Sequence, residues 1–314
     1  MRPHTMLKLA TGLFLSMAAT FAASDARSDG APAPRQVTPD SNAHGIASVY
    51  GSLPADQAEF ISTPDSIKGA AASGAPSLVW ETLEHGEKVE CLDCIPIVAP
   101  LLYDTNTKTR EIAAWWLRRR IFGVFGPGEV YEQTINTLKG DPNPTRRAYA
   151  AYALGEFFAA PGIDACAAAL AGDSDPGVRA AAASALGRLN DDGAGALGKA
   201  LGDGDPGVKL AVLESATHIN SFSGVSGIAG LTTDGSADVR RRAVEALDAL
   251  GAKDTVSAVA ATAQNDADAR VRASACHALG TFGDASVLPV LQNLSQNDPD
   301  VFVRDQASIA MRRL

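Results

Sequence analysis

Apolar residues recur at helical spacing over most of the chain after residue 92. The stretches 178–189 and 271–282 show this most clearly, with apolar or small residues at i, i+3, i+4, i+7, i+8 and i+11. This spacing places them in one stripe of an amphipathic helix. Shorter stripes lie between the long ones, for example over 131–138 and 256–263. The pattern predicts alternating long and short helices and no strand of any length.

These helices repeat with a period of 30 to 32 residues. Each unit contains a turn, an apolar residue, a basic residue and an Ala/Leu-rich helix, as in DPGVRAAAASALG at 175–187. Arg110 extends the series of basic residues backward with a longer gap of 37. One helix pair cannot bury its stripe alone, so neighbouring units must stack. The basic residues are Arg147, Arg179, Lys209, Arg240, Arg272 and Arg304, and in step with them stand Asp141, Asp173, Asp203, Asp234, Asp266 and Asp298.

The turns carry signals for the ends of the long helices. Asp175 and Asp205 directly precede a Pro, which predicts an N-cap with Pro in the first helical turn. The stretch 220–230 is too rich in Gly and Ser for a strong helix, so the array is expected to flex there. A Gly follows Ala-Leu in four units and suits a helix end; these are Gly155, Gly187, Gly251 and Gly280.

The pattern D-x-D-P-x-V-R-x-x-A-x-x-A-L-G resembles HEAT repeats, in particular the short bacterial type also seen in phycobilisome-lyase-like proteins. The resemblance covers residues 92–314 in about seven repeats. It implies an all-α fold, a right-handed α-solenoid of the armadillo or HEAT type with about seven helix pairs, whose second helices line the concave face. It also implies that the repeated basic residue bridges an Asp of its own or the adjacent turn. We therefore interpret that residue as structural rather than as a phosphate ligand.

The first residues have the pattern of a secretory signal peptide, over 1–24. Arg2 and Lys8 precede an apolar run, and cleavage after Ala22 or after Ser24 fits. A retained anchor helix is the alternative. We expect an exported protein, periplasmic in a Gram-negative cell or else secreted, without a transmembrane segment in the mature chain.

Two segments connect the signal peptide to the array. Residues 25–50 are rich in Ala, Pro, Ser, Asp and Gly, which predicts a flexible linker. Residues 51–91 are predicted to form an N-terminal helical cap. Its helices are expected near 54–62 and 76–86, separated by the Gly/Ala/Ser stretch 69–75.

Composition narrows the function. The 314 residues carry a formal charge of −9, which argues against a nucleic-acid binder because phosphate contacts need positive surface. Four cysteines are too few for a disulfide scaffold. Neither G-x-S-x-G nor H-E-x-x-H occurs, so hydrolase chemistry has no visible carrier. No cofactor is predicted.

Residues that do not repeat are the candidates for partner binding. The densest basic and aromatic cluster is REIAAWWLRRRIFGVFG at 110–126, where Trp116 falls on the apolar stripe and Trp115 does not. Aromatic residues supply most interface hot spots, so a protein partner is expected on the concave face. A solvated helix face is the alternative. The candidates are Trp115, Arg118, Arg119, Tyr152 and Glu156. The column of Trp115 and Tyr152 continues through Ser184, Glu214, Glu245, His277 and Ile309, and the column one turn later contains Glu156, Arg188 and His218.

A metal site is the weaker idea. Glu214 and His218 are i, i+4 on one helix, and Glu245 and His277 follow in the same column. Deoxyhypusine hydroxylase, a HEAT-like enzyme, uses paired His-Glu dipeptides, and no such dipeptide occurs here. Adjacent helices also stand about 8–10 Å apart, which is long for ligands to converge. No metal is therefore predicted.

Cys91 and Cys94 are close enough in sequence to form a local disulfide in an exported chain, or to remain an inert pair. A redox dithiol is the alternative, because a helix N-terminus lowers a thiol pKa. Cys166 and Cys276 occupy helix positions that suit small buried residues.

Taken together, the repeat, the charge, the candidate surface residues and the predicted export signal indicate a non-catalytic, protein-binding scaffold of the cell envelope. The alternatives are an enzyme subunit or redox or metal protein that uses these cysteines or the Glu/His cluster, and a lyase-like chromophore-attachment factor.

Overall fold

The structure, a computed structural model, describes residues 63–123, 126–219 and 222–314, without the side chains of residues 122, 123, 126, 127 and 191. The predicted signal peptide, the predicted linker and the predicted helix at 54–62 lie outside the described residues.

Sixteen helices follow one another along the described ranges. They are α1 Pro64–Ser73, α2 Pro76–His85, α3 Ile95–Val98, α4 Thr107–Arg118, α5 Glu129–Gly140, α6 Pro144–Phe157, α7 Pro161–Gly172, α8 Pro176–Arg188, α9 Ala194–Ala200, α10 Pro206–Ala216, α11 Val225–Gly230, α12 Ala237–Ala249, α13 Val256–Asn265, α14 Ala269–Phe282, α15 Leu288–Asn297 and α16 Val301–Met311.

The helices pack in consecutive pairs, which confirms the predicted solenoid architecture. In the first pair, α3 continues into the 3-10 helix Ala99–Tyr103, and that segment packs against α4. The remaining pairs run from α5 with α6 to α15 with α16. The described residues therefore contain seven pairs. Successive buried stripes join into one continuous apolar core.

The connection between α4 and α5 contains a minimal antiparallel ribbon that the sequence pattern does not predict. Its strands are β1 Phe122–Gly123 and β2 Gly126–Pro127. The amide of Gly128 donates to the carbonyl of Ile121 at 2.6 Å and closes the ribbon. This insertion accounts for the longer gap between Arg110 and the next repeated cation.

The prediction that residues 69–75 separate two helices is wrong, because helix α1 covers most of this stretch. The helix continues to Ser73 and ends at Gly74, which has φ +65°. Thr63 and Ser66 form a capping box, with the Ser66 amide donating to Thr63 Oγ1 at 3.1 Å. The alanines that resemble a linker are strong helix formers once the helix has begun. Helix α2 lies at the predicted 76–86.

The predicted N-caps are confirmed at the start of the long helices. Asp175 Oδ1 accepts from the amide of Val178, and Asp205 Oδ1 accepts from the amides of Gly207 and Val208. Each is followed by Pro at the first helical turn. Helix α11, in the Gly/Ser-rich stretch, is only six residues long.

The repeated cations form a ladder that ties each repeat to the next. Arg147 Nε and Nη2 bind Asp173 Oδ2 and Oδ1 at 2.7 and 2.8 Å, while its Nη1 donates to the carbonyl of Asp141. The guanidinium thus binds its own turn through the backbone and the following turn through the carboxylate. The same contact joins Arg179 to Asp203, Arg240 to Asp266 and Arg272 to Asp298, and Lys209 Nζ binds Asp234.

The ladder predicts a loss of stability in acid. Hydrogen bonds from Arg147, Arg179 and Arg272 hold the pKa values of Asp173, Asp203 and Asp298 below the usual range. An unfolded Asp has a pKa of about 3.9. The ladder therefore contributes fully above that value and is lost as pH falls through the lower folded pKa values. We expect the urea midpoint to fall from pH 7 to pH 3; equal midpoints would contradict this prediction.

The glycines after Ala-Leu correct a second prediction. Gly251 does follow a helix, with φ +62°, but Gly155, Gly187 and Gly280 lie inside α6, α8 and α14. A Cβ on Gly155 would lie 2.8 Å from Ala185 Cα, and one on Gly280 would lie 2.7 Å from Ala310 Cα. These positions need Gly because the next second helix touches them, not because the chain turns.

The second helix of each pair belongs to the more tightly packed layer. Neighbouring second helices such as α6 and α8 approach closely, whereas neighbouring first helices such as α5 and α7 meet over less of their length. An array with one layer packed more tightly curves toward that layer. The second helices therefore lie on the concave side. Among the residues that the structure describes, no helix has the length and apolar character needed to cross a membrane.

Candidate partner-binding surface

A groove of about 330 Å³ runs along the second-helix layer between α4 and α6. We call it the α4/α6 groove. It is lined by Leu102, Thr107, Arg110, Glu111, Ala114, Tyr149, Tyr152, Ala153, Glu156 and Arg188.

The register of the repeat leaves room for a groove between α4 and α6. Eight residues after the ladder cation, α6 and α8 have Gly155 and Gly187, whereas α4 has Arg118. The glycines let α6 and α8 touch their neighbours in the C-terminal direction. Helix α4 has no such glycine, and it approaches α6 less closely than α6 approaches α8. The wider separation leaves a cleft on the concave side.

Two arginines of α4 lie over aromatic rings, one pair within the groove and the other outside its lining. The guanidinium of Arg110 lies 3.8 Å from the ring centroid of Tyr149, and that of Arg118 lies 5.1 Å from Phe158. Tyr152 is 45% exposed and Phe158 is 52% exposed. Phe158 ends α6 in a left-handed conformation, with φ 51°. Such exposed rings beside Arg are typical of protein interfaces.

An acidic group closes the C-terminal end of the groove. Glu156 is half-buried and pairs with Arg188. Burial raises the pKa of Glu156, and the charges of Arg188 and Arg118 partly oppose that rise. The surrounding segment 103–158 has eight Lys and Arg against six Asp and Glu, whereas 159–314 has thirteen against nineteen. The groove therefore lies in the least acidic part of the array.

The structure brings together some of the candidates from the sequence. Tyr152 and Glu156 line the groove, and Arg118 stands next to it on Phe158. Trp115 is half-buried against the core and does not line the groove. Arg119 Nη1 binds Glu87 Oε1 at 2.7 Å, which directs it toward the N-terminal helices.

Sequence reasoning missed Tyr149 and the orientation of Arg110. Tyr149 stands three residues before Tyr152 and seven before Glu156, so its helical face could have been read from the spacing. Trp116 is buried, as predicted, and its Nε1 donates to the carbonyl of Gly86 at 2.9 Å.

The candidate metal ligands Glu214, His218, Glu245 and His277, here called the Glu/His column, form ion-pair contacts. Arg242 binds the carboxylates of both Glu214 and Glu245, so these oxygens already have a cation. His218 Nε2 lies 3.4 Å from Glu214, and His277 Nε2 lies 3.6 Å from Asp248. Within the described ranges, no group of three or more His, Cys, Asp or Glu is placed to hold a metal ion.

Cys91 and Cys94 are joined by a disulfide bond, and both are buried. Cys166 and Cys276 are free and buried in the core. Burial raises the pKa of both free thiols to about 12. A thiol with such a pKa is almost wholly protonated near neutral pH, and the thiolate is the reactive form.

This arrangement predicts the outcome of a thiol titration. With DTNB at pH 8, the native protein should show almost no reactive thiol, because Cys166 and Cys276 are buried and protonated. Unfolding in guanidinium chloride should make these two thiols reactive, and reduction in the same denaturant should make all four cysteines reactive. A redox dithiol would instead release Cys91 and Cys94 to mild dithiothreitol without denaturant. That result would contradict an inert disulfide.

Stacked helix pairs, tied by a cation–Asp ladder with one layer on the concave side, define an α-solenoid. The chain belongs to the family of HEAT repeats, whose pattern matches residues 131–217 and 227–312, more than half of the chain. No curated protein matches the sequence.

Solved structures support the same fold. The crystal structure of YibA from Escherichia coli is 19% identical, covers 85% of this chain and 97% of its own, and gives a TM-score of 0.53. A chain of the Kap95:Nup1 complex is 13% identical, covers 86% of this chain and 44% of its own, with a TM-score of 0.62. The chain is also similar to the complex of CpcE and CpcF of phycocyanin lyase from Nostoc, at 22% identity over 70% of this chain and 92% of its own, but the TM-score of 0.38 is too low to support the fold. Identities at this level bear on the fold alone.

Proposed function

We propose that this protein is a non-catalytic scaffold that binds a protein partner along the concave face, at the α4/α6 groove. The observation that carries the proposal is the groove itself, a cleft on the inner helix layer lined by the exposed ring of Tyr152 and by Tyr149, whose ring lies against Arg110. Interface energy concentrates in such aromatic and Arg residues. The solenoid Kap95, which shares the fold, is known in a complex with Nup1.

The proposed location is the cell envelope, with export to the periplasm. The signal-peptide pattern of residues 1–24 supports it, and the Cys91–Cys94 disulfide adds to it. Disulfides persist in oxidising compartments and are rare in the cytosol. Cell fractionation with N-terminal sequencing of the mature protein tests this part; an uncleaved chain in the cytosolic fraction would contradict it.

The groove is open to a direct test. The protein is crosslinked in the exported fraction of its own cell, purified, and its crosslinked sites are identified by mass spectrometry. One stoichiometric partner with crosslinks on α4 and α6 is the expected result. Crosslinks confined to the outer, first-helix layer would contradict the proposed site.

Replacement of Tyr152 by Ala should weaken the affinity for that partner about tenfold or more, because an exposed aromatic anchor is lost from the groove. The matched control is Phe302→Ala. Phe302 is also exposed, at 56%, but it lies on α16 at the far end of the array. Binding curves from surface plasmon resonance would measure both. Equal affinities of the two variants would show that the groove is not the binding site.

The enzymatic and lyase-like alternatives have no feature of the described residues in their favour. The carboxylates of the Glu/His column pair with Arg242, and the two cysteines of the N-terminal pair form a buried disulfide. We therefore propose no reaction for the protein.

A further inference from the structure

Arg110 occupies the ladder register without a ladder partner. The five repeated cations from Arg147 to Arg272 each bind the Asp of the following repeat. The following repeat offers Arg110 the residue Asp141, but that carboxylate binds Arg146 Nε at 2.9 Å. No ion pair of Arg110 exists with any residue that the structure describes.

The rest of the ladder geometry is nevertheless preserved at Arg110. Its Nη1 donates to the carbonyls of Asp104 and Thr105 at 2.6 and 3.0 Å, as Nη1 of the other ladder arginines does to their own turns. Its Nη2 donates to Thr107 Oγ1 at 3.0 Å, and its Cζ lies 3.8 Å from the ring centroid of Tyr149. The guanidinium is thus held in place. The edge formed by Nε and Nη2 is the one that binds a carboxylate in the other ladder arginines.

Arg110 is one of the residues that line the α4/α6 groove. A planar guanidinium matches a carboxylate by two parallel hydrogen bonds, which are among the strongest that proteins form. A half-buried cation without a counter-charge also favours an anionic ligand, because burial has removed part of its hydration. The two acidic residues of the lining are already paired, Glu111 with Lys108 and Glu156 with Arg188, so Arg110 is the charge of the lining that has no ion pair among the described residues.

We propose that the α4/α6 groove binds an acidic peptide segment whose Asp or Glu side chain takes the place of the missing ladder carboxylate on Arg110. The partner chain lies extended along the groove, with its neighbouring residues against Tyr152. This inference rests on the proposed function, since it names the chemistry of the partner at the same site.

A displayed library of random dodecapeptides, selected on the full-length protein, tests the inference. Selected peptides should share one Asp or Glu at a fixed position. In fluorescence anisotropy, replacing that residue by Asn or Gln should weaken binding to the unaltered protein about tenfold or more, as expected for loss of a hydrogen bond to a charged group. The affinity should also fall as salt is added. This arm changes only the peptide, so protein folding does not enter.

Protein variants then assign the effect to Arg110. Arg110→Gln should weaken the affinity for the selected peptide by about the same factor. On this variant, the acidic-to-amide change in the peptide should not weaken the affinity further. Arg110→Glu should prefer the peptide with Lys at that position. The control Arg270→Gln, an exposed Arg on α14 that pairs with Asp268, should bind as the wild type does.

The outcomes separate the two proposals. Peptides that require Tyr152 but carry no fixed acidic residue would overturn the carboxylate site and leave the groove as a binding surface. Peptides insensitive to both Tyr152 and Arg110, or no selected peptide at all, would overturn the inference together with the proposed function.

Discussion

Replacing Arg272 by Met will lower the free energy of unfolding by about 3–5 kcal/mol, the usual cost of breaking a buried ion pair. Arg272 is 8% exposed and Asp298 is 6% exposed. Two hydrogen bonds of 2.8 and 2.9 Å join them across the sixth and seventh repeats. Met fills much of the same space but leaves the Asp298 carboxylate buried without a cation. Urea unfolding at pH 7, followed by circular dichroism, measures the effect.

The control is Arg270→Met, the same substitution two residues away on α14. Arg270 is exposed and pairs with its neighbour Asp268, so its loss should leave the free energy of unfolding almost unchanged. Similar losses in the two variants would contradict a stabilising role specific to the ladder. In a repeat array the damage should also be local, so amide hydrogen exchange should accelerate most in α15 and α16.

The same variant has a defined pH dependence. Arg272 holds the pKa of Asp298 below its usual range, so removing Arg272 should raise that pKa. Below the folded pKa of the wild-type Asp298, the carboxyl is protonated in both proteins and the ion pair is gone. The difference in stability between wild type and variant should therefore be full at pH 7 and shrink in strong acid. A difference that stays constant with pH would assign the loss to packing instead.

Replacing Gly280 by Ala will destabilise the protein by about 1–3 kcal/mol, the range for overpacking in a tight interior. The new Cβ would lie 2.7 Å from the Cα of Ala310 and 2.9 Å from its Cβ. These are backbone or backbone-fixed atoms of α16, so the helices themselves must separate. The steric cost exceeds the gain of about 1 kcal/mol that Ala brings over Gly within a helix.

Gly198→Ala is the matched control with the opposite expected sign. Gly198 also lies inside a helix, α9, and a Cβ there meets nothing within 4 Å. This variant should gain up to about 1 kcal/mol in the free energy of unfolding. The urea midpoints of the two variants are compared with that of the wild type, and we expect a lower midpoint for Gly280→Ala and a higher one for Gly198→Ala. A stabilised Gly280→Ala protein would show that the close approach of α14 and α16 is not needed.

The spacing predicts the repeat and shows that Arg and Asp recur in step. The bridge between them is implied by the resemblance to HEAT repeats, which left open an Asp of the same or of the adjacent turn, and the structure shows the carboxylate of the following turn. The role of Gly155, Gly187 and Gly280 does not follow from the spacing, because a Gly after Ala-Leu looks the same at a helix end and at a helix contact. Helix α6 continues past Gly155 to Phe157, and Phe158 adopts the left-handed turn instead.

The position of the α4/α6 groove could not be predicted from the sequence for the same reason. Its position depends on which neighbouring second helices lack the contact glycine, and that question cannot be posed until the glycine is known to be a contact residue. The sequence shows a longer gap of 37 residues after Arg110 but does not say what fills it. The pairing of Asp141 with Arg146, which leaves Arg110 without a ladder carboxylate, is visible only in the structure.

The glycines at which neighbouring second helices touch, Gly155, Gly187 and Gly280, divide the solenoid into stiff blocks and compliant joints. Where Gly155, Gly187 and Gly280 bring backbones together, adjacent repeats have no side-chain layer that could rearrange between them. Thr217, directly after α10, and Asp248 in α12 stand at this register, as Arg118 does in α4, and side chains can shift by changing rotamer. Bending should therefore concentrate at the α4–α6, α10–α12 and α12–α14 joints. A partner that fills the α4/α6 groove would fix the angle at the first joint, and so set the curvature that the remaining repeats present.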